Sequence, residues 1–284
     1  MRFASVRTAA GASWGVVANG AVHPIDAATA EAFPTLKHAI AAAALKAVHD
    51  RHESWDAIPV DEVEWAPLIP EPGKILCVGL NYEKHREETA RPVVAHPTIF
   101  TRFADSQTGH RQPIVRPIVS EKLDYEGELA LVIGKRGRAI AARDALDHIA
   151  GFSCYNDGSV RDWQHHTMQF TPGKNFPGTG AFGPWLVTPD EFGDIPSKRI
   201  RTRLNGEVMQ DAHFSELIFG LDRLIEYVSA FTPLEPGDVI VTGTPGGVGA
   251  KRKPPVFMKP GDHVEVEIEG IGVLRNGIAD ELAP

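Results

Sequence analysis

The 284-residue chain holds only two cysteines, Cys77 and Cys154, and no CxxC pair. That excludes a disulfide framework and a structural zinc site, and it fits reduced thiols in a cytoplasmic protein. No apolar run approaches the ~20 residues of a membrane-spanning helix. The start, MRFASVRTAAGASWG, lacks the apolar stretch of a signal peptide and reads as a folded terminus. Basic residues are in deficit, 29 Lys and Arg against 37 Asp and Glu, for a net charge of -8. This balance argues against nucleic acid or an anionic membrane as the partner. Two catalytic signatures are missing as well. There is no GxSxG elbow, and VIVTGTPGGVGAK lacks the GxxxxGK[ST] order of a phosphate-binding P-loop.

What remains is ordinary globular material, 43% hydrophobic and 23% charged, long enough for a large core. MRFASVR and SWGVVANG read as short strands. An alanine-rich stretch from Thr35 to Arg51 predicts a helix whose partial apolar face is Ile40, Ala43, Leu45 and Val48. WAPLIPEPGK then packs four prolines and glycines between Pro67 and Gly73, which marks a boundary. The expected division is a small N-terminal domain over residues 1–70 and a main domain over residues 71–284. From Lys74 onward strand patterns dominate, among them KILCVGLN, YEGELALVIG, DVIVTG and HVEVEIEGIG. Asn205-Gly206 between alternating segments predicts a hairpin. Helices are fewer, expected over Asn81–Thr89, Ala142–His148, Val160–His165 and Ser215–Phe231. The class is α+β and β-rich.

The stretch KLDYEGELALVIG spaces Asp124, Glu126 and Glu128 at two-residue steps before an apolar run. On one strand they would share a face, with no Lys or Arg between them to pair with. Alternating acids also suit a solvated strand face. Crowded beside a core, however, like charges destabilise the fold unless a cation is bound. An all-carboxylate set is what hard divalent ions take. In GFSCYNDGSVRDWQHH, Asp157 follows a strand pattern, where it could cap a helix or add a third carboxylate. Two strand acids and one loop acid would make half an octahedron, open to substrate and water. In GLNYEKHREE, His85 and Glu88 stand at i, i+3 and share a face of a helical turn. They are either a surface pair or an imidazole oriented by a carboxylate to act as a general base. The glycine-rich backbone of VIVTGTPGGVGAKRKPP, after a strand, could offer N–H groups to a carboxylate.

Taken in order, KILCVGLNYEKHREE, LDYEGELALVIGKRGRAI, GFSCYNDGSVRDWQ, GKNFPGTGAFGPWLV, TRLNGEVMQD and LEPGDVIVTGTPGGVG resemble the fumarylacetoacetate hydrolase family. The resemblance covers about Lys74 to Gly277. It implies a mixed β-roll main domain with a small N-terminal α/β domain, a homodimer, and Mg²⁺ or Mn²⁺ on three carboxylates. Carried over by motif, the metal ligands are Glu126, Glu128 and Asp157, with Asp124 supporting them from behind. The catalytic dyad is His85 and Glu88, on a segment that acts as a lid in relatives. Lys174 matches a lysine that reaches the active centre, and Gln164, Gly243 and Thr244 match substrate-lining positions. FTRFADSQ departs from the family's FxKP pattern, so Arg102 stands where a lysine is usual, as a substrate contact.

The chemistry so implied is hydrolysis of a 2,4-dioxo acid of the acylpyruvate type, such as a diketo-deoxy sugar acid or fumarylpyruvate, to pyruvate and a carboxylic acid. His85 would activate water and Lys174 would stabilise the oxyanion. The alternative at the same site is an oxaloacetate-type decarboxylase or keto–enol isomerase. A non-catalytic binding protein is the third reading, and the presence of His85, Glu88 and all three acids speaks against it.

Overall fold

The strand Gly127–Ile133, which carries the apolar run LALVI, is buried at every residue. Alternation along it sorts its side chains between two packing layers. Leu129, Leu131 and Ile133 join a core that includes Ile200, Val264 and Val266, whereas Ala130 and Val132 join one that includes Trp14, Ile75 and Val239. A strand packed on both faces has no polar position to offer, which explains the unbroken hydrophobicity.

The computed structural model describes residues 1–90, 92 and 94–282. Gly127–Ile133 lies antiparallel to Ile149–Asp157 on one side and to Val239–Val241 on the other. Val239–Val241 in turn runs parallel to Ile75–Gly79. In the other direction the sheet continues through Gly180–Val187 to Arg2–Thr8, so the first strands hydrogen-bond into the main sheet. A second sheet of five strands includes Arg199–Leu204, His263–Ile268 and Gly272–Asp280. Val264, Val266 and Ile268 are buried and their neighbours are not, as the alternation in HVEVEI predicts. The architecture is the expected β-rich one with mixed sheets.

The Asn205-Gly206 hairpin forms between Arg199–Leu204 and Glu207–His213, both turn residues having positive φ, 52° and 85°. That pair of left-handed residues gives the turn a twist matching its flanking strands. The Thr35–Arg51 helix is not continuous. It forms as Leu36–Ala41 and Leu45–His49, interrupted at Ala43, whose φ is 52°. Ala41 to Ala43 are exposed, so helix propensity acts there without packing to extend it. Ala142–His148 forms as a 3₁₀ helix.

The helix expected from Ser215 starts later, at Leu221–Phe231, burying Leu221, Leu224, Ile225 and Val228 on one stripe. Ile218 and Phe219 have another task. Their backbone clasps Asn81, which accepts from Phe219 N at 2.8 Å and donates to Phe219 O at 3.1 Å. Asn81 also donates to Thr242 O at 2.8 Å, which pins the root of the short helix Glu83–Glu88 to the sheet.

Candidate active site and metal centre

The end of the central strand pair gathers the acids. Asp157 is the last residue of Ile149–Asp157, and its N–H donates to Glu126 O at 2.8 Å across the ladder. Glu128 follows two residues after Glu126 on the same face. One carboxylate oxygen from each of Glu126, Glu128 and Asp157 lies within 4.8 Å of the others, and all three residues are buried. Oxygens on opposite sides of a Mg²⁺ ion are separated by about 4 Å, so this set is close to a ligand arrangement. Asp124 is not part of it. It sits in a separate short strand, Leu123–Asp124, and accepts from Gly249 N at 2.8 Å and Ala250 N at 2.9 Å.

The cations missing from the local sequence arrive from elsewhere. Lys174 donates to Glu126 Oε2 and Asp157 Oδ2, both at 2.6 Å. Arg161 reaches Asp124 Oδ2 at 2.8 Å and Glu126 Oε1 at 2.7 Å, and Arg102 reaches Asp157 Oδ1 at 2.5 Å. Against these three cations stand four carboxylates, Asp124, Glu126, Glu128 and Asp157. The one without a cationic partner among the described residues is Glu128, whose hydrogen bond is from Gly243 N at 2.6 Å. Gly243 has a φ of 102°, a conformation that glycine adopts freely and that turns this N–H towards the carboxylate.

The electrostatics divide accordingly. Burial opposes the charged form of Glu126, but the Lys174 ammonium and then Arg161 hold its carboxyl below the ordinary range. Burial, then the Asp157 and Glu126 charges, push Glu128 well above it. Lys174 is buried too, yet Asp157 and Glu126 keep its ammonium pKa above the usual value. A divalent ion fits this donor set. It supplies positive charge where Glu128 lacks it, and each engaged oxygen still has a second lone pair.

The short helix Glu83–Glu88 brings the histidine. His85 Nδ1 is 2.7 Å from Glu88 Oε1, and Glu88 Oε2 accepts from Gly247 N at 2.9 Å. His85, Glu126, Glu128, Gln164, Lys174 and Thr244 all line one cavity of about 120 Å³. Val78, Phe100, Phe170 and Val248 supply its apolar walls.

The remaining sequence-derived residues do not line that cavity. Glu88 stands behind His85, and Gly243 behind Glu128. Arg102, expected to contact substrate, is corrected by its position. Its side chain is fully buried and spends its donors on Asp157, Gly158 O, Thr179 and Ser106. With four protein acceptors engaged, Arg102 is absent from the cavity lining. Sequence reasoning also missed Arg161, which lines the cavity and donates to Gln164 Oε1 at 2.9 Å. Its signal was present: it follows Asp157 by four residues in a stretch already singled out, and buried acids need cations.

The model of the fumarylacetoacetate (FAA) hydrolase C-terminal domain matches residues 74–279. The chain is 45% identical over 223 residues to oxaloacetate tautomerase FAHD2A, mitochondrial, of Bos taurus, covering 78% of this chain and 71% of that protein. Against the Homo sapiens protein of the same name the identity and coverage are the same. Among solved structures, a fumarylacetoacetate hydrolase from Exiguobacterium antarcticum superposes with a TM-score of 0.87 at 33% identity, over 99% of this chain and 100% of that one. A maleylpyruvate hydrolase from a Sphingobium species, in complex with manganese(II) and pyruvate, superposes with a TM-score of 0.82 at 26% identity, over 99% and 100%.

Proposed function

The chain belongs to the fumarylacetoacetate hydrolase family, and from that premise we propose that it is a divalent-metal-dependent keto–enol tautomerase of a short 2-oxo diacid such as oxaloacetate. The observation that carries the reading is the His85–Glu88 pair at 2.7 Å, whose imidazole opens into the same cavity as Glu126 and Glu128. The names of the relatives at 45% identity supply the substrate.

Glu126, Glu128 and Asp157 would hold Mg²⁺ or Mn²⁺. When bound, the ion acts as a Lewis acid that favours negative charge on the 2-oxo oxygen. Lys174 holds Glu126 below the ordinary carboxylate range, which the ligand role requires, and pairs with Asp157. Glu88 takes the hydrogen bond from His85 Nδ1–H, leaving Nε2 as the basic nitrogen. His85 then removes a proton from C3 of the keto acid and returns it to the 2-oxo oxygen, giving the enol; the reverse transfers restore the keto form. No bond between heavy atoms breaks. Gln164 orients the acid in the cavity, Thr244 lines it with its hydroxyl given to Gly127 O, and the helix Glu83–Glu88 excludes water from it.

Acylpyruvate hydrolysis is the second reading, supported by the likeness to the manganese- and pyruvate-bound maleylpyruvate hydrolase. There the same imidazole would deprotonate water for attack on the 4-carbonyl. The homodimer belongs to the same proposal, and sedimentation of the free protein tests it.

One assay separates these chemistries. Purified protein with Mg²⁺ is given enol oxaloacetate, the enol's ultraviolet absorbance is followed, and pyruvate is assayed in the same tube. The tautomerase reading expects accelerated decay of the enol signal without pyruvate, abolished by EDTA. Pyruvate from oxaloacetate would mean decarboxylation instead. Pyruvate from an acylpyruvate, with an unchanged enol signal, would hand the site to hydrolysis.

A further inference from the structure

We propose that Lys251 selects substrates with a second carboxylate by pairing with it at the rim of the cavity, an assignment that rests on the 2-oxo acid reading above. Three lysine or arginine side chains line the cavity, Arg161, Lys174 and Lys251. The charges of the first two are balanced by buried carboxylates: Lys174 by Glu126 and Asp157, and Arg161 by Asp124 and Glu126, although Arg161 Nη2 has no hydrogen-bond partner among the described residues. The Lys251 ammonium is exposed and has no carboxylate or hydrogen-bond partner among the described residues.

Its backbone is nonetheless fixed to the acid cluster. Lys251 closes the 3₁₀ turn Gly249–Lys251, and the Asp124 carboxylate accepts from the first two N–H groups of that turn. Arg161 links Asp124 to Glu126 through its Nε and Nη1. The buried Asp124 therefore does two things: it balances Arg161, and it holds the turn that presents Lys251 at a set position relative to the proposed ion ligands.

The cavity between these two ends favours a doubly charged occupant. A 2-oxo acid would place its 1-carboxylate and 2-oxo oxygen at the buried acids' ion, leaving its tail to run outward. The side walls are Val78, Phe100, Phe170 and Val248, which offer a charged tail no side-chain hydrogen bond. A tail ending in carboxylate has to reach beyond them, and the cation on the lining that no carboxylate among the described residues balances is Lys251. A methyl or aryl tail would gain nothing from it.

The test compares oxaloacetate with its 4-methyl ester, which differs by the tail charge, in the unaltered protein, Lys251→Met and Lys251→Arg. An exposed pair predicts that Lys251→Met raises KM for oxaloacetate about three- to fivefold with little change in kcat. The ester's KM stays put, and Lys251→Arg keeps the preference. Raising ionic strength should erode the diacid preference of the unaltered protein and leave Lys251→Met indifferent. Equal shifts for both substrates, or none, overturn the assignment.

If the unaltered protein turns over neither compound, the tautomerase reading fails, and binding decides the Lys251 assignment separately. Calorimetry on the Mn²⁺-loaded protein then compares malate with 2-hydroxybutyrate, which replaces the tail carboxylate by methyl. A preference for malate that disappears in Lys251→Met upholds the assignment. No preference in the unaltered protein, or one that survives the substitution, overturns it.

Discussion

The strand Gly127–Ile133 has two ends of opposite chemistry. From Leu129 onward its side chains bury hydrocarbon, and at Glu128 and just before it they bury charge. Apolar burial stabilises wherever it occurs, by about 25 cal/mol for each Å² removed from water. Buried charge costs free energy until partners offset it. One end is thus self-sufficient, whereas the other depends on Lys174, Arg161 and Arg102 and, at Glu128, on something further. A site that keeps one carboxylate short of a cation is suited to holding an ion.

The widest separation between the two ends should appear in activity. His85→Ala is expected to lower kcat for enol–keto conversion by about 10²–10⁴-fold, the usual worth of a positioned acid–base group. Thermal stability and Mn²⁺ affinity should stay near those of the unaltered protein; unchanged kcat would remove His85 from the chemistry.

In stability the charged end should be the more fragile. Lys174→Met strands Glu126 and Asp157 in a buried setting and is expected to cost about 3–5 kcal/mol by denaturant unfolding. That loss should be partly restored by added Mn²⁺. Leu131→Ala, three residues beyond Glu128, should cost about 2–5 kcal/mol through its cavity. Its loss should not respond to the ion. If Mn²⁺ rescued both variants equally, the distinction between the two ends would be wrong.

The smallest effect concerns a buried titratable group that is kept neutral. His110 Nδ1 accepts from Arg275 N at 3.1 Å, and its ring stands edge-on to Trp65 with centroids 5.2 Å apart. Burial, then the Arg111 and Arg275 charges, lower its pKa from 6.5 to about 4. The unfolded chain therefore binds the proton more readily, so this contribution is complete above about pH 6.5 and is lost as pH falls towards 4. His110→Gln should flatten the melting temperature against pH across that window relative to the unaltered protein. An identical pH profile for both would contradict the neutral role.

Legibility in the sequence followed range. Features set within a few residues could be read directly: the Asn205-Gly206 hairpin, the alternation in HVEVEI, the His85–Glu88 spacing and the acids near Asp157. What could not be read was set by long-range meetings. Arg102 and Lys174 lie 55 and 17 residues from Asp157 along the chain, and their geometry around it comes only with the folded sheet. For the same reason Arg102 was expected in the cavity when its donors go to Asp157, Gly158 O, Thr179 and Ser106. The break at Ala43 escaped because alanine propensity says helix, and only the exposure of Ala41 to Ala43 shows that no packing sustains one. Asp124 was expected behind the ligands, but its hold on the Gly249–Lys251 turn is a contact across 125 residues.

The central claim is that Glu126, Glu128 and Asp157 form an ion site, and an anomalous difference map from a crystal soaked in Mn²⁺ tests it most directly. The account predicts a single strong peak within bonding distance of an oxygen from each of the three carboxylates, lost in Glu128→Gln. A map with no peak there, or with its main peak elsewhere, would contradict it.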